Sequence, residues 1–228
     1  MQRKTAFATD QYYHLYNRGT DRRQIFLGHG DYLRFLVLLH VANFRQTVHL
    51  SDWQGSSLTI SHLWSRSFGE KMVDIGAYCL MPNHFHLLVR AKDDNGVTIF
   101  MKKLLTGYSM YFNKKQNRSG SLFEGTFKAS HIDNNEYLKY LFAYIHLNPV
   151  KTVDPHNWES KIIIDARFAQ QFLDKYEYSS YAYYRDRPRP SDSILSGNKN
   201  FPDYFNQAHE FQEFVSDWIE YSTVKDRP

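Results

Sequence analysis

The chain has 228 residues, 42% of them apolar, 17% aromatic and 23% charged, which is enough for one sizeable core and excludes a disordered or low-complexity protein. Against 24 acids stand 28 lysines and arginines, for a net charge of +4, and the single cysteine, Cys79, excludes an intrachain disulfide or a cysteine-based zinc site. With no apolar run of about 18 residues and no charged-then-apolar leader, a cytoplasmic protein with no membrane partner is expected.

QYYHLYNR, residues 11–18, alternates and ends at Gly19, which predicts a strand and a turn. DYLRFLVLLHVANF follows, with Tyr32, Phe35, Leu36, Leu39 and Phe44 at helical spacing, so a helix should pack on the sheet. Residues 46–70, with Trp53, Trp64 and Phe68 among Ser, Gly and Gln, have no clear period and read as an insertion with room for a short helix. MVDIGAYCLM and HFHLLVR flank Pro82 and Asn83; because proline cannot donate to a ladder, two strands meeting at MPNH are expected. Residues 97–116 carry Phe100, Met101, Leu104, Leu105, Tyr108, Tyr111 and Phe112 along one helical side, and NRSGS then makes a turn.

SLFEGTFKASHI reads as extended, and Asp133 or Asn134 can cap the helix NEYLKYLFAYIHL, which Pro149 must end near Asn148. The resulting β-α-β-β-α-β-α order predicts an α+β fold built on a split βαβ sheet with helices on one face. Beyond residue 154 the chain looks irregular through IIIDARFAQQFLDKYEYSSYAYY and the breaker run RDRPRP, before a final amphipathic helix, HEFQEFVSDWIEY. Residues 1–153 are therefore expected to form the core, with the insertion at about 46–70, and residues 154–228 a C-terminal helical extension packed on it.

Charge is unevenly spread. Lys102, Lys103, Lys114, Lys115, Arg118 and Lys128 face one acid, Glu124, whereas the region after Ser191 is acidic, a pattern that fits a polyanion held by the body of the protein.

Within HFHLLVR, His84 and His86 point to the same side of a strand and Phe85 to the other. Two imidazoles so placed can hold a divalent metal at about 2.1 Å, but the same spacing also suits histidines that merely line a sheet face. A third donor is needed. Tyr144 and Asn148 lie four apart on one helical face, where the amide oxygen could ligate a hard cation; a core tyrosine and a helix-ending asparagine fit the spacing equally well.

YHLYNRGTDRRQIF, AYCLMPNHFHLLVR, GSLFEGTFK and YIHLNPV, in this order, resemble the IS200-like Y1 transposases, and SGSLFEGTFK with SSYAYY resembles the REP-associated tyrosine transposase branch. The resemblance spans roughly residues 10–184. It implies a ferredoxin-like antiparallel core of the HUH type, cleavage and rejoining of single-stranded DNA beside imperfect hairpins, Mg²⁺ or Mn²⁺ held by His84, His86 and Asn148, and Tyr144 as nucleophile. Both a homodimer and a monomer are compatible with it. A phenol with pKa near 10 is a weak nucleophile at neutral pH, which is why such chemistry calls for a cation on the phosphate. Tyr144 would take the 5′-phosphate and free a 3′-hydroxyl. Tyr108 and Tyr111, five and two residues before Asn113, do not share a helical face with it and fit the role less well.

Phosphate contacts are expected from Arg18, Arg22 and Arg23 near the first turn and from Lys102, Lys103, Lys114, Lys115, Arg118 and Lys128; Phe123 and Phe127 are candidates for base stacking or core. A protein that only binds structured nucleic acid would need the basic surface but not Tyr144 beside a cation. A hydrolase using activated water is disfavoured by the scarcity of carboxylates near these motifs, Glu124 being the main one.

Overall fold

A computed structural model of the chain describes residues 6–48, 60–153, 165–196, 201, 204 and 207–224. Its sheet has four antiparallel strands, β1 (Tyr12–Arg18), β2 (Val73–Met81), β3 (His84–Ala91) and β4 (Lys128–Ile132), in the order β2-β3-β1-β4. The split βαβ order of the ferredoxin-like fold follows: β3 separates β1 from β2. Helix α1 (His29–Val41) links β1 to β2, and α3 (Gly96–Lys115) links β3 to β4; the short α2 (Ile60–Ser65) lies between α1 and β2. Residues 49–59 of the expected insertion lie outside the described residues, and a Phe44–Lys71 bridge joins the chain on either side of it.

Strand alternation divides the molecule into two cores. Leu15, Ile75, Phe85, Leu87 and Val89 face Phe35 and Leu39 of α1 and Phe100, Leu104 and Tyr108 of α3, so the two crossover helices share one face of the sheet. Ala77, Cys79, Leu88 and Ile132 point the other way, under Leu138, Leu141 and Ile145 of α4 (Asn135–Leu147). Asn134 starts α4 by accepting from the Tyr137 N–H at 2.7 Å, and Asn148 with Pro149 ends it, as the sequence requires.

Met81 and His84 pair across a two-residue turn, Pro82-Asn83, so the proline sits outside both ladders. The turn is clamped to the loop after β1. Pro82 O accepts from the N–H groups of Ile25 (2.8 Å) and Phe26 (3.1 Å), and Asn83 O from Gly19 N–H at 2.9 Å. Any β-carbon at Gly19 would meet the Arg23 carbonyl oxygen at 2.3 Å, which explains the glycine there.

The C-terminal extension covers both α4 and the edge of the sheet. Ala169 and Leu173 of α5 (Ala166–Lys175) and Phe211, Val215 and Ile219 of α7 (Ala208–Val224) join the core beneath α4. Leu80 N–H donates to Tyr178 O (2.8 Å) and Ser180 N–H to Tyr78 O (3.0 Å), which closes the open edge of β2 ahead of the one-turn helix α6 (Tyr181–Tyr184). Helix α5 corrects the irregular reading of residues 165–175. Its signal is Asp165, which accepts from Phe168 N–H at 2.9 Å, followed by Ala169, Phe172 and Leu173 on one side. SLFEGTFKASHI is likewise less regular than expected, with ladder pairing confined to Lys128–Ile132 and an isolated Phe123–Gly19 bridge.

Gly76 sits at the bulge in β2, where a β-carbon would approach the Phe201 ring to 2.6 Å and where Tyr184 Oη donates to Gly76 O at 2.5 Å. Gly76→Ala should therefore push the extension off the sheet and cost about 1–3 kcal/mol, read as a lowered urea midpoint. An unchanged midpoint would mean that Phe201 gives way freely.

Candidate active site

The sheet face covered by α4 is polar where β1 and β3 meet. Tyr16 pairs with His86 and Arg18 with His84, which places all four side chains on this face, while Phe85 turns to the opposite core and packs on Phe35 at 5.2 Å. The rings of His84 and His86 lie 5.0 Å apart.

Each imidazole has one nitrogen engaged. His84 Nδ1 lies 2.6 Å from Asn83 Oδ1; an amide oxygen only accepts, so the proton is on Nδ1 and Nε2 keeps its lone pair. His86 Nδ1 lies 2.8 Å from His14 Nε2, and its own Nε2 is buried with no hydrogen-bond partner among the described residues. Burial, helped by the Lys151 and Arg18 charges, lowers the His84 pKa to about 4, and burial with His14 and His84 nearby holds His86 well below the ordinary value. Both rings are thus neutral near pH 7, the form that ligates metal.

Helix α4 carries Tyr144 over these rings, edge-on to His86 at 5.5 Å and to His14 at 6.0 Å. Burial and then the Tyr140 phenol raise the Tyr144 pKa, opposed by the Asn148 amide. Lys151, in the 3-10 turn after α4, places its ammonium 5.3 Å from the Tyr144 ring centre. Asn148 is fully buried; its Nδ2 donates to the Tyr144 carbonyl at 2.7 Å, and its Oδ1 has no partner among the described residues.

A buried acceptor without a donor is costly, and here two occur beside the same tyrosine, His86 Nε2 and Asn148 Oδ1. With His84 Nε2 they supply two imidazole nitrogens and one amide oxygen that could serve as ligands to a divalent cation. No three of His, Cys, Asp and Glu among the described residues are grouped to hold a metal, so the amide oxygen would have to be the third protein donor.

Three residues of this site were missed in the sequence. His14 and Tyr16 repeat, in HLY, the same-face spacing of HFH, and Lys151 follows Asn148 by three residues in NPVK. Pairing of two strands was needed to see the first two; proximity to Tyr144 was needed to see the third.

The expected phosphate-binding residues divide by face. Arg18, Arg22 and Lys128 surround Glu124 beside the site: Arg18 is ion-paired with it, all three lower its pKa, and Lys128 pairs with Tyr16 across β1 and β4. Arg22 is exposed on a turn in which it and Asp21 hold φ of 58° and 55°, unusual for non-glycine residues. Arg23 bonds back to Thr20 O at 2.9 Å. Lys102 and Lys114 are exposed, but on α3, across the sheet from Tyr144. Lys103 instead donates to Phe44 O (2.5 Å) and Gln46 O (3.0 Å), Lys115 pairs with buried Asp31 at 2.6 Å, and Arg118 bonds Asn113 and Ser121 O. Those three have structural partners.

Base stacking by Phe123 is not supported, because the ring is buried and packs edge-on against Phe85 at 6.1 Å; Phe127 is buried too. Tyr108 donates from the opposite core to Ile25 O at 2.5 Å, and Tyr111 bonds Asp31 at 2.9 Å, so neither phenol reaches the histidines.

Among solved structures, the chain is similar to a REP-associated tyrosine transposase bound to a REP hairpin, with a TM-score of 0.47 and 15% identity over 82% of this chain and 86% of that one. It is also similar to the tRNA(His) guanylyltransferase of Saccharomyces cerevisiae, with a TM-score of 0.34 and 11% identity over 99% and 85% of the two chains. Both scores are too low for either likeness to carry function. No curated protein matches the chain. The sequence profile of the family described as "Transposase IS200 like" matches residues 7–148, a stretch that holds the whole sheet and α4. The chain belongs to the IS200-like transposase family, whose members nick and rejoin single-stranded DNA through a tyrosine-phosphate intermediate.

Proposed function

We propose that Tyr144 is the nucleophile of this transposase, that His84, His86 and Asn148 hold its Mg²⁺ or Mn²⁺, and that its DNA is single-stranded and flanked by imperfect hairpins, met in the cytoplasm. The observation that carries the reading is Tyr144 lying 5.5 Å from His86, a buried imidazole whose Nε2 has no partner among the described residues. A protein that only binds nucleic acid has no use for that arrangement.

Tyr144 Oη gives up its proton to solvent and attacks the scissile phosphorus, the P–O3′ bond breaks, the departing oxygen takes up a proton from solvent to become a 3′-hydroxyl, and the 5′-phosphate remains esterified to the tyrosine. When bound, the divalent cation supplies Lewis-acid polarisation of that phosphate. Lys151, whose ammonium lies 5.3 Å from the Tyr144 ring centre, is placed to offset negative charge developing at the tyrosine oxygen and the phosphate. Rejoining is the reverse, with a 3′-hydroxyl attacking the phosphotyrosine. Tyr144 lies beside histidines of its own chain, an arrangement that a site complete within one subunit would have.

The test is a single-stranded hairpin oligonucleotide incubated with the protein and Mg²⁺, then resolved on a denaturing gel. A protein-DNA adduct carrying the fragment 3′ to the cut, through its 5′-phosphate, is expected. Retention of the other fragment would reverse the proposed polarity.

Phosphate contacts are assigned to the basic group beside the site. Arg22→Gln and Lys128→Gln should each flatten the dependence of log K on log salt by about 0.7 for a single-stranded contact. Lys102→Gln and Lys114→Gln, across the sheet, should leave the slope unchanged, and filter binding over a range of salt separates the two pairs. Equal effects from all four would place the DNA elsewhere.

A further inference from the structure

His14 has no role in the chemistry described so far, yet it is buried, with 7% exposure, on the same face as His86, which has 5%. Tyr16 lies directly opposite His86 across β1 and β3, so His14 is the diagonal neighbour. Its Nε2 is 2.8 Å from His86 Nδ1. Neutral imidazoles at this distance must place one proton between those nitrogens, and the two ways of doing so differ at the far side of His86.

If His14 Nε2 were the donor, His86 would carry its proton on Nε2, a buried N–H with no acceptor among the described residues and no lone pair to offer a cation. If His86 Nδ1 donates instead, His86 Nε2 keeps a lone pair that is likewise without a protein partner among the described residues but that a cation can satisfy, which the other tautomer does not allow. We propose that His14 is a positioning residue: by accepting from His86 Nδ1 it fixes the tautomer and rotation of His86 that turn the Nε2 lone pair toward a divalent cation. The inference rests on the metal site proposed above.

Packing alone does not call for histidine here. His14 stacks on Tyr16 at 4.9 Å and meets Tyr144 edge-on at 6.0 Å, contacts that an apolar ring would also make. An engaged far nitrogen orients a ligating imidazole and raises its basicity, and losing such a partner weakens metal affinity by roughly 10–100-fold.

Protein labelled with ¹⁵N at histidine, titrated with Mg²⁺ as wild type, His14→Leu and His14→Gln, tests this by the ring-nitrogen resonances. Without metal, wild-type His86 should show a proton on Nδ1 and a bare Nε2, and Mg²⁺ should shift the Nε2 signal. His14→Leu should mix the tautomers and weaken Mg²⁺ binding by roughly 10–100-fold, whereas His14→Gln, whose amide oxygen still accepts, should retain the tautomer and most of the affinity. A proton on wild-type His86 Nε2, or unchanged Mg²⁺ affinity in folded His14→Leu, overturns the inference and leaves the metal site standing. Mg²⁺ that moves neither His84 nor His86 overturns the metal-site reading and this inference with it. If His14→Leu does not fold, the wild-type tautomer and its loss or retention in His14→Gln decide.

Discussion

Tyr144→Phe should abolish the covalent protein-DNA adduct while leaving hairpin affinity within about twofold and stability within about 0.5 kcal/mol of the wild type. Only Oη is removed. The ring keeps its contacts with His86 at 5.5 Å, Tyr140 at 6.1 Å and the Lys151 ammonium at 5.3 Å, and although the Asn148 amide loses the phenol, it keeps its bond to the Tyr144 backbone carbonyl. Tyr108→Phe is the informative control. Its hydroxyl is buried and donates to Ile25 O, so its loss should destabilise the fold by about 1 kcal/mol or more without touching adduct yield. Denaturing gels read the first quantity and urea midpoints the second. An adduct that persists in Tyr144→Phe would remove Tyr144 from the reaction, and an adduct lost instead in folded Tyr108→Phe would move the nucleophile across the sheet.

Much of this site was legible because its residues come in short, local patterns. Alternation around HFH put His84 and His86 on one face and Phe85 on the other, and the four-residue step in YIHLN put Tyr144 and Asn148 on one side of a helix, as found. His14, Tyr16 and Lys151 were not legible for the opposite reason. Their places depend on strand pairing and on how α4 crosses the sheet, both of which are long-range. The lysines show the same limit from another direction: composition found a basic stretch, but could not say that Lys103 binds the carbonyls of Phe44 and Gln46 or that Lys115 pairs with buried Asp31. Phe123 had the right chemistry for stacking and is in the core. Helix α5 was missed although Asp165 caps it, because the aromatic run after it obscured a short period.

Removing the two histidines should have the larger effect on metal dependence. His84→Ala and His86→Ala together should lower the rate of adduct formation by about 10³-fold, the equivalent of roughly 4 kcal/mol of transition-state charge stabilisation, and added Mn²⁺ should not restore it. The single variants should differ from the double and from each other. His84 is only partly buried, and its partner is the adjacent Asn83, so His84→Ala leaves His86 and Asn148 in place and should recover part of its activity at high Mn²⁺. His86→Ala also strands His14 Nε2 without its partner and opens a cavity under Tyr144, adding about 1–3 kcal/mol of instability to the lost ligand. Because burial holds His84 to a pKa of about 4 and His86 well below the ordinary histidine value, acid should not mimic these substitutions near pH 6, where an unperturbed imidazole would already be gaining its proton. Single-turnover adduct kinetics over a Mn²⁺ series separate the cases. A double variant that is rescued by metal as readily as His84→Ala would mean that other donors hold the cation, and the two buried acceptors, His86 Nε2 and Asn148 Oδ1, would then need another explanation.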